Sequence, residues 1–186
     1  MILLRHGQSE FNLHFTATRR DPGIKDPKLT DLGHAQAEAA AEALAGAQEI
    51  RRIIVSPYTR ALQTAAPLAR RLKLPVTVNP IVRERYAFTC DIGSPATALR
   101  GHWPDVALDH IEEVWWPLQE EPADQVEARA RRFRGEMAVL DDWAHTVVVS
   151  HWGFILSMTG RSVSNGEWLA CDPTAPPPES IVWKHH

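Results

Sequence analysis

Short apolar runs alternate with segments of helical period along most of the chain. Met1-Ile-Leu-Leu4 is wholly apolar and stops at Arg5-His6-Gly7. Arg52-Ile-Ile-Val55, Pro75-Val-Thr-Val-Asn79 and Thr146-Val-Val-Val149 repeat that type. Runs this short, rich in Ile and Val and bounded by Gly, Pro or Ser, read as buried strands. Ile181-Val-Trp183 reads as a last, edge strand. Between them, Ala37, Ala41 and Leu44 share one helix face, with Thr30 as N-cap and Gly46 as stop. Ser56-Pro57 opens a second helix, an N-cap followed by proline at the first helical position, with Ala61, Ala65, Leu68 and Leu72 on one face. Ser94-Pro95 opens a short helix ending near Gly101. Pro122 starts a long one carrying Val126, Ala130, Phe133, Met137 and Leu140, and residues 154–158 form a short one closed by Gly160. Residues 13–29, with Pro22, Gly23 and Pro27, have no period and read as a long loop. Residues 102–122, with Trp103, Trp115 and Trp116, are irregular: either a lid over a pocket or packing under a loop.

Composition narrows this picture. The chain has 186 residues, with no repeat, linker or low-complexity tract, so one domain over residues 1–186 is expected. The formal net charge of −3 gives no global attraction to nucleic acid or to an anionic membrane. Arg129, Arg131, Arg132 and Arg134 fall on several sides of their helix among many acids, which predicts a solvated surface. No stretch reaches the roughly 20 apolar residues of a membrane helix. Cys90 and Cys171 are far apart and form no Cys-x-x-Cys pair, so free thiols and a cytoplasmic location are expected.

Alternating strands and helices predict an α/β fold around a doubly wound, mostly parallel sheet, where ligands bind beyond the C-terminal strand ends. Three strand ends then matter. They are Arg5-His6-Gly7, Ser56-Pro-Tyr-Thr-Arg60 and Ser150-His151-Trp152-Gly153. Together they bring two imidazoles and two guanidiniums to one sheet edge. That set suits a phosphoryl group: arginine forks match its oxygens, and the helix N-termini after Ser56 and near Gly153 would add backbone N–H donors. An imidazole at the centre can attack phosphorus and split one displacement into two. No Asp cluster suited to Mg²⁺ is present, so neither metal nor cofactor is expected.

Arg5-His6-Gly7-Gln8-Ser9-x-x-Asn12 resembles the signature of the histidine phosphatase superfamily, which includes the cofactor-dependent phosphoglycerate mutases. The likeness extends through Leu29-Thr30-x-x-Gly33-x-x-Gln36-Ala37, Ser56-Pro57-x-x-Arg60-Ala61-x-Gln63-Thr64-Ala65 and Val149-Ser150-His151-x-Gly153, in the family's order. It implies a three-layer α/β/α sandwich of the phosphoglycerate mutase type. It also implies His6 as the phosphorylated nucleophile, with Arg5, Arg60 and His151 holding the phosphoryl oxygens and Asn12 helping from the first loop. The family's proton donor follows the third strand, where Ile81-Val-Arg-Glu84 stands, so Glu84 takes that role; a surface pairing of Glu84 with Arg83 or Arg85 is the bland alternative. Where many members carry a Gly-x-Trp-Glu-Gly-like segment, this chain has Arg85-Tyr-Ala-Phe-Thr-Cys-Asp-Ile-Gly93, which makes Asp91 a rival acid. Trp152 adds bulk beside His151, and Cys90 is a pocket candidate. His14, His34, His102, His110, His145, His185 and His186 lack a convergent setting.

The expected activity is hydrolysis of a small phosphate monoester through a phosphohistidine, without metal, nucleic acid or membrane. The alternatives are a mutase that moves phosphate between hydroxyls and a silent phospho-ligand binder. The short chain and the residues after Glu84 favour hydrolysis, and residues 13–28 and 85–120 are expected to build the rest of the pocket.

Overall fold

The structure, a computed structural model, describes residues 1–47 and 49–183; His185 and His186 lie outside the described residues. Strands β1 (Ile2–Arg5), β2 (Arg52–Val55), β3 (Val76–Val78), β4 (Thr146–Ser150) and β5 (Trp168–Ala170) form one sheet in the order β3-β2-β4-β1-β5. All pairings are parallel except that of β5 with β1. The helices are α1 (Glu10–Thr18), α2 (Asp31–Ala47), α3 (Thr59–Leu72), α4 (Ala96–His102), α5 (Ala123–Ala138) and α6 (Trp152–Thr159).

The near-continuous apolar runs are explained by what covers the two sheet faces. Leu4, Ile53, Val55, Val147 and Val149 pack with Ala41, Leu44, Ala65 and Leu68 of α2 and α3. The intervening Leu3, Ile54 and Val148 pack with Phe133, Met137, Phe154 and Ile155 of α5 and α6. Alternate side chains thus enter two separate cores, which makes the three-layer α/β/α sandwich.

Several sequence expectations need correction. Residues 13–29 do not form a continuous loop, because α1 runs to Thr18. Its start is a capping box: Ser9 Oγ accepts from the Asn12 N–H at 3.3 Å, and Asn12 Oδ1 accepts from the Ser9 N–H at 3.0 Å. Gly46 lies inside α2 rather than ending it. α3 begins at Thr59, not after Ser56, and its cap is remote. Asp26 accepts from the Thr59 N–H at 2.9 Å and from the Thr59 hydroxyl at 2.7 Å. The last strand is β5, while residues 181–183 are outside the sheet. The Trp-rich segment is packing: Trp115 is buried, donates its indole N–H to the Ser94 carbonyl at 2.9 Å and stands edge-on to Tyr58. Two of the four α5 arginines are internal. Arg134 is buried and donates to the carbonyls of Met158, Asp172 and Ala175, and Arg129 is bonded throughout its guanidinium, whereas Arg132 pairs with Glu136 at the surface.

Among the described residues no helix is long and apolar enough to cross a membrane. Cys90 and Cys171 are free and buried.

Candidate active site

Strand register assembles the site. β1 and β4 pair with Arg5 opposite Ser150, and β2 and β4 pair with Val55 opposite Val149. The residues that follow, His6, His151 and Ser56, are therefore neighbours at one sheet edge. The His6 N–H continues the ladder to the Ser150 carbonyl at 3.0 Å, and the two imidazole centroids are 5.0 Å apart. The turn after β1 is tight because Gly7 and Gly33 let two backbones touch. A Cβ at Gly7 would run into the Gly33 carbonyl, and one at Gly33 into the Gln8 carbonyl. The Gly7 N–H is fixed by Thr64 Oγ1 at 3.1 Å.

His6 is buried, and its Nδ1 stands 2.7 Å from the carbonyl oxygen of Gly7. A carbonyl only accepts, so this contact assigns the proton to Nδ1 and leaves the lone pair on Nε2. Burial, then the guanidiniums of Arg60 and Arg5, hold the His6 imidazole well below the usual histidine range. His151 is fully buried beside it, with Nε2 at 2.8 Å from Ser56 Oγ. Its Nδ1 is buried without a hydrogen-bond partner from the protein. Burial, Arg60 and His6 hold this imidazole down as well. The hydroxyl of Ser56, expected to cap a helix, instead orients the second histidine.

The cations are anchored differently. Arg5 donates Nη1–H to the Val163 carbonyl at 2.7 Å and keeps a buried, unpaired Nε; burial pushes its guanidinium down to about 10, still protonated at neutral pH. Arg60 is 3% exposed, donates to the Cys90 carbonyl at 2.9 Å and to Asp91 Oδ1 at 3.2 Å, and lies 4.2 Å over the Tyr58 ring. Asp91 also accepts the N–H groups of Ala87 and Phe88 on Oδ2, both at 3.0 Å. Burial pushes its carboxyl up to about 6, against the pull of Arg60. Asn12 Oδ1 is engaged by Ser9 and by Asn165 Nδ2, which leaves the Asn12 amide nitrogen as its group for a ligand.

Glu84 makes no side-chain ion pair with Arg83 or Arg85. Its Oε1 accepts the backbone N–H of Gly153 at 2.9 Å and of Arg85 at 2.8 Å, while Oε2 stands 3.2 Å from the Gly153 nitrogen. The α6 N-terminus, expected to face a phosphoryl group, is thus occupied by Glu84. The α3 N-terminus is likewise occupied by Asp26. Each helix end's partial positive charge is met by a carboxylate of the protein itself. The Glu84 segment is clamped from α5: Arg129 donates to the carbonyls of Ile81 and Arg83, both at 2.9 Å, and of Glu84 at 3.1 Å, and pairs with buried Glu121 at 2.8 Å.

Most of these groups meet at a cavity of about 320 Å³, but His151, with 0% exposure, is not among the residues that line it. Arg5, His6, Asn12, Arg60, Glu84, Cys90 and Asp91 all line it. From residues 13–28 it takes Phe15 and Thr16, and from 85–120 only residues up to Asp91. The other wall is Trp152, read from sequence as bulk beside His151, together with residues 162–165, which are missing from the sequence expectation. Its one signal is the polar Ser162-Val-Ser-Asn-Gly166 turn, whose Asn165 amide donates to the His6 carbonyl at 3.1 Å. Trp152 does border the cavity, with its indole N–H on Ser162 Oγ at 2.9 Å. His102, His110 and His145 rest on backbone carbonyls elsewhere. Among the described residues no three His, Cys, Asp or Glu side chains are grouped to hold a metal ion.

Known proteins resemble the chain over most of its length. The chain is 33% identical over 172 residues to the glucosyl-3-phosphoglycerate phosphatase of Mycolicibacterium vanbaalenii, covering 86% of this chain and 72% of that one. It is 30% identical over 168 residues to the enzyme of the same name from Mycobacterium tuberculosis, covering 86% and 73%. The solved mycobacterial glucosyl-3-phosphoglycerate phosphatase in complex with VO3 superposes with a TM-score of 0.62 at 27% identity, over 90% of each chain. Residues 1–175 match the histidine phosphatase superfamily (branch 1), and the chain belongs to that family.

Proposed function

We propose that this protein is a phosphate-monoester hydrolase that works through a phosphohistidine on His6. The observation that carries this reading is the 2.7 Å contact between His6 Nδ1 and the Gly7 carbonyl. It supports Nε2 as a lone pair held unprotonated on the cavity wall, between two guanidiniums. In the first step the Nε2–P bond forms and the P–O bond to the leaving group breaks. For this step Glu84 must first take up a proton, on its less engaged Oε2, and it then gives that proton to the departing oxygen. In the second step Glu84, now a carboxylate, takes a proton from water; the water oxygen bonds phosphorus and the N–P bond breaks. Nδ1–H stays on the Gly7 carbonyl throughout. Arg5, Arg60, the unpaired Nδ1 of His151 and the Asn12 amide would meet the charge spread over the phosphoryl oxygens.

Relatives named as phosphatases, one solved with VO3, favour hydrolysis over transfer between hydroxyls. No step calls for a metal. An aryl phosphate should therefore be hydrolysed at an unchanged rate in excess chelator, and His6→Ala should lower kcat by about 10³ or more. Turnover that needs an added divalent ion, or survives His6→Ala, would overturn the mechanism.

A further inference from the structure

The cavity has two chemically distinct ends. Around His6 it is polar and cationic, as phosphoryl transfer requires. Three phenylalanines make another part of the lining, which phosphoryl chemistry does not need. Phe11 and Phe15, one turn apart on α1, are stacked with centroids 5.2 Å apart. Phe88, from the segment after Glu84, closes on both at 5.4 and 5.1 Å. All three border the cavity.

This wall is rigid. Phe11 is 7% exposed. The Phe88 N–H is bonded to Asp91, and the next N–H, of Thr89, donates to Asp21 Oδ2 at 2.8 Å. Aromatic faces fixed in this way favour a flat apolar group seated against them. The charges point the same way. Arg5 and Arg60 belong to the phosphoryl end, and the remaining cation on the cavity, Arg85, is committed. It donates to the Glu121 carbonyl at 2.9 Å and to Glu120 at 3.2 Å, and lies 5.2 Å over the Trp183 ring. A second phosphate or a carboxylate on the leaving group would meet no uncommitted cation among the described lining residues.

We infer that the substrate's leaving group is an uncharged aromatic or similarly flat apolar alcohol, seated on Phe11, Phe15 and Phe88. A cavity of about 320 Å³ has room for a one- or two-ring group beside the phosphoryl. This rests on the hydrolase reading, and the test separates the two.

Benzyl phosphate and glycerol phosphate release alcohols of similar acidity, so their comparison isolates recognition from leaving-group chemistry. The expected kcat/KM for benzyl phosphate is about tenfold or more above that for glycerol phosphate and for phosphoglycerate. In calorimetry, the non-hydrolysable benzylphosphonate should bind the wild-type protein about tenfold more tightly than methylphosphonate, and Phe88→Ala and Phe15→Ala should each erase most of that difference. Equal binding of the two phosphonates by the wild-type protein, or a preference for phosphoglycerate, would overturn the inference whatever the variants do. Preferential benzylphosphonate binding with no turnover of any phosphate ester would support the occupant of the wall and overturn the hydrolase reading.

Discussion

Asp91 and Glu84 both reach the cavity, and their surroundings differ. Asp91 is 1% exposed and engaged on both oxygens, by Arg60 and Cys90 on one side and by two backbone N–H groups on the other. It fixes Arg60, the more buried of the two phosphoryl-end guanidiniums. Glu84 has backbone partners only, two on Oε1 and one longer contact on Oε2, and the proposed mechanism makes it the proton donor. Glu84→Gln should therefore slow alkyl phosphates, whose leaving oxygen needs a proton, by about 10² or more, and p-nitrophenyl phosphate only a few-fold. Asp91→Asn should raise KM by about tenfold for both classes, because Arg60 loses its charged anchor. Steady-state kinetics on the two ester classes decides this. A leaving-group dependence that appears in Asp91→Asn and not in Glu84→Gln would exchange the roles.

Elements meet at Gly153, the second residue of α6. A Cβ there would stand 2.5 Å from Glu84 Oε1 and 3.3 Å from the Trp183 ring, so the residue after Trp152 must be small for the carboxylate to reach the helix end. Gly153→Ala raises intrinsic helix propensity by up to about 1 kcal/mol, yet it should displace Glu84 and reproduce the Glu84→Gln leaving-group signature, with about tenfold lower kcat on alkyl phosphates. Wild-type rates on both ester classes in Gly153→Ala would show that the carboxylate is not held there. What sequence could and could not reveal divides at the same level. The strand ends at His6, Arg60 and His151 were legible because fully buried parallel strands leave uninterrupted Ile and Val runs, and the chemistry begins where they stop. Helix α1 was not, because only Phe11 and Phe15 mark its inner face and its capping box uses Asn12 in place of Glu. β5 has three residues at a sheet edge with one buried side chain, Leu169, too little to show alternation. Ile181-Val-Trp183 has strand composition and no neighbouring strand. The position of Glu84 after β3 was readable, while its contact with a helix N-terminus at residue 153 exists only in three dimensions.

For the whole molecule, two neutral imidazoles inside a cationic site couple stability to pH. Below about pH 6.5 the unfolded chain protonates His6 and His151, and the folded chain, whose imidazoles are held well below that range, does not. Stability then falls by about 1.4 kcal/mol per pH unit for each imidazole. Asp91 runs the other way: with its carboxyl at about 6, the folded state keeps a proton that the unfolded chain releases down to about pH 4, offsetting one imidazole over that window. Urea midpoints measured without phosphate should thus drop steeply just below about pH 6.5 and less steeply below about pH 6; a flat or rising midpoint would contradict the burial of both rings in neutral form. The proposed mechanism depends on the same neutral His6, and a direct trap tests it. Rapid acid-free quenching of the enzyme during turnover of a phosphate ester, followed by peptide mass analysis, should find an acid-labile, alkali-stable phosphoryl group on His6 and none in His6→Ala. Steady hydrolysis with no phosphoryl on His6, or with the phosphoryl on another residue, would contradict the mechanism directly.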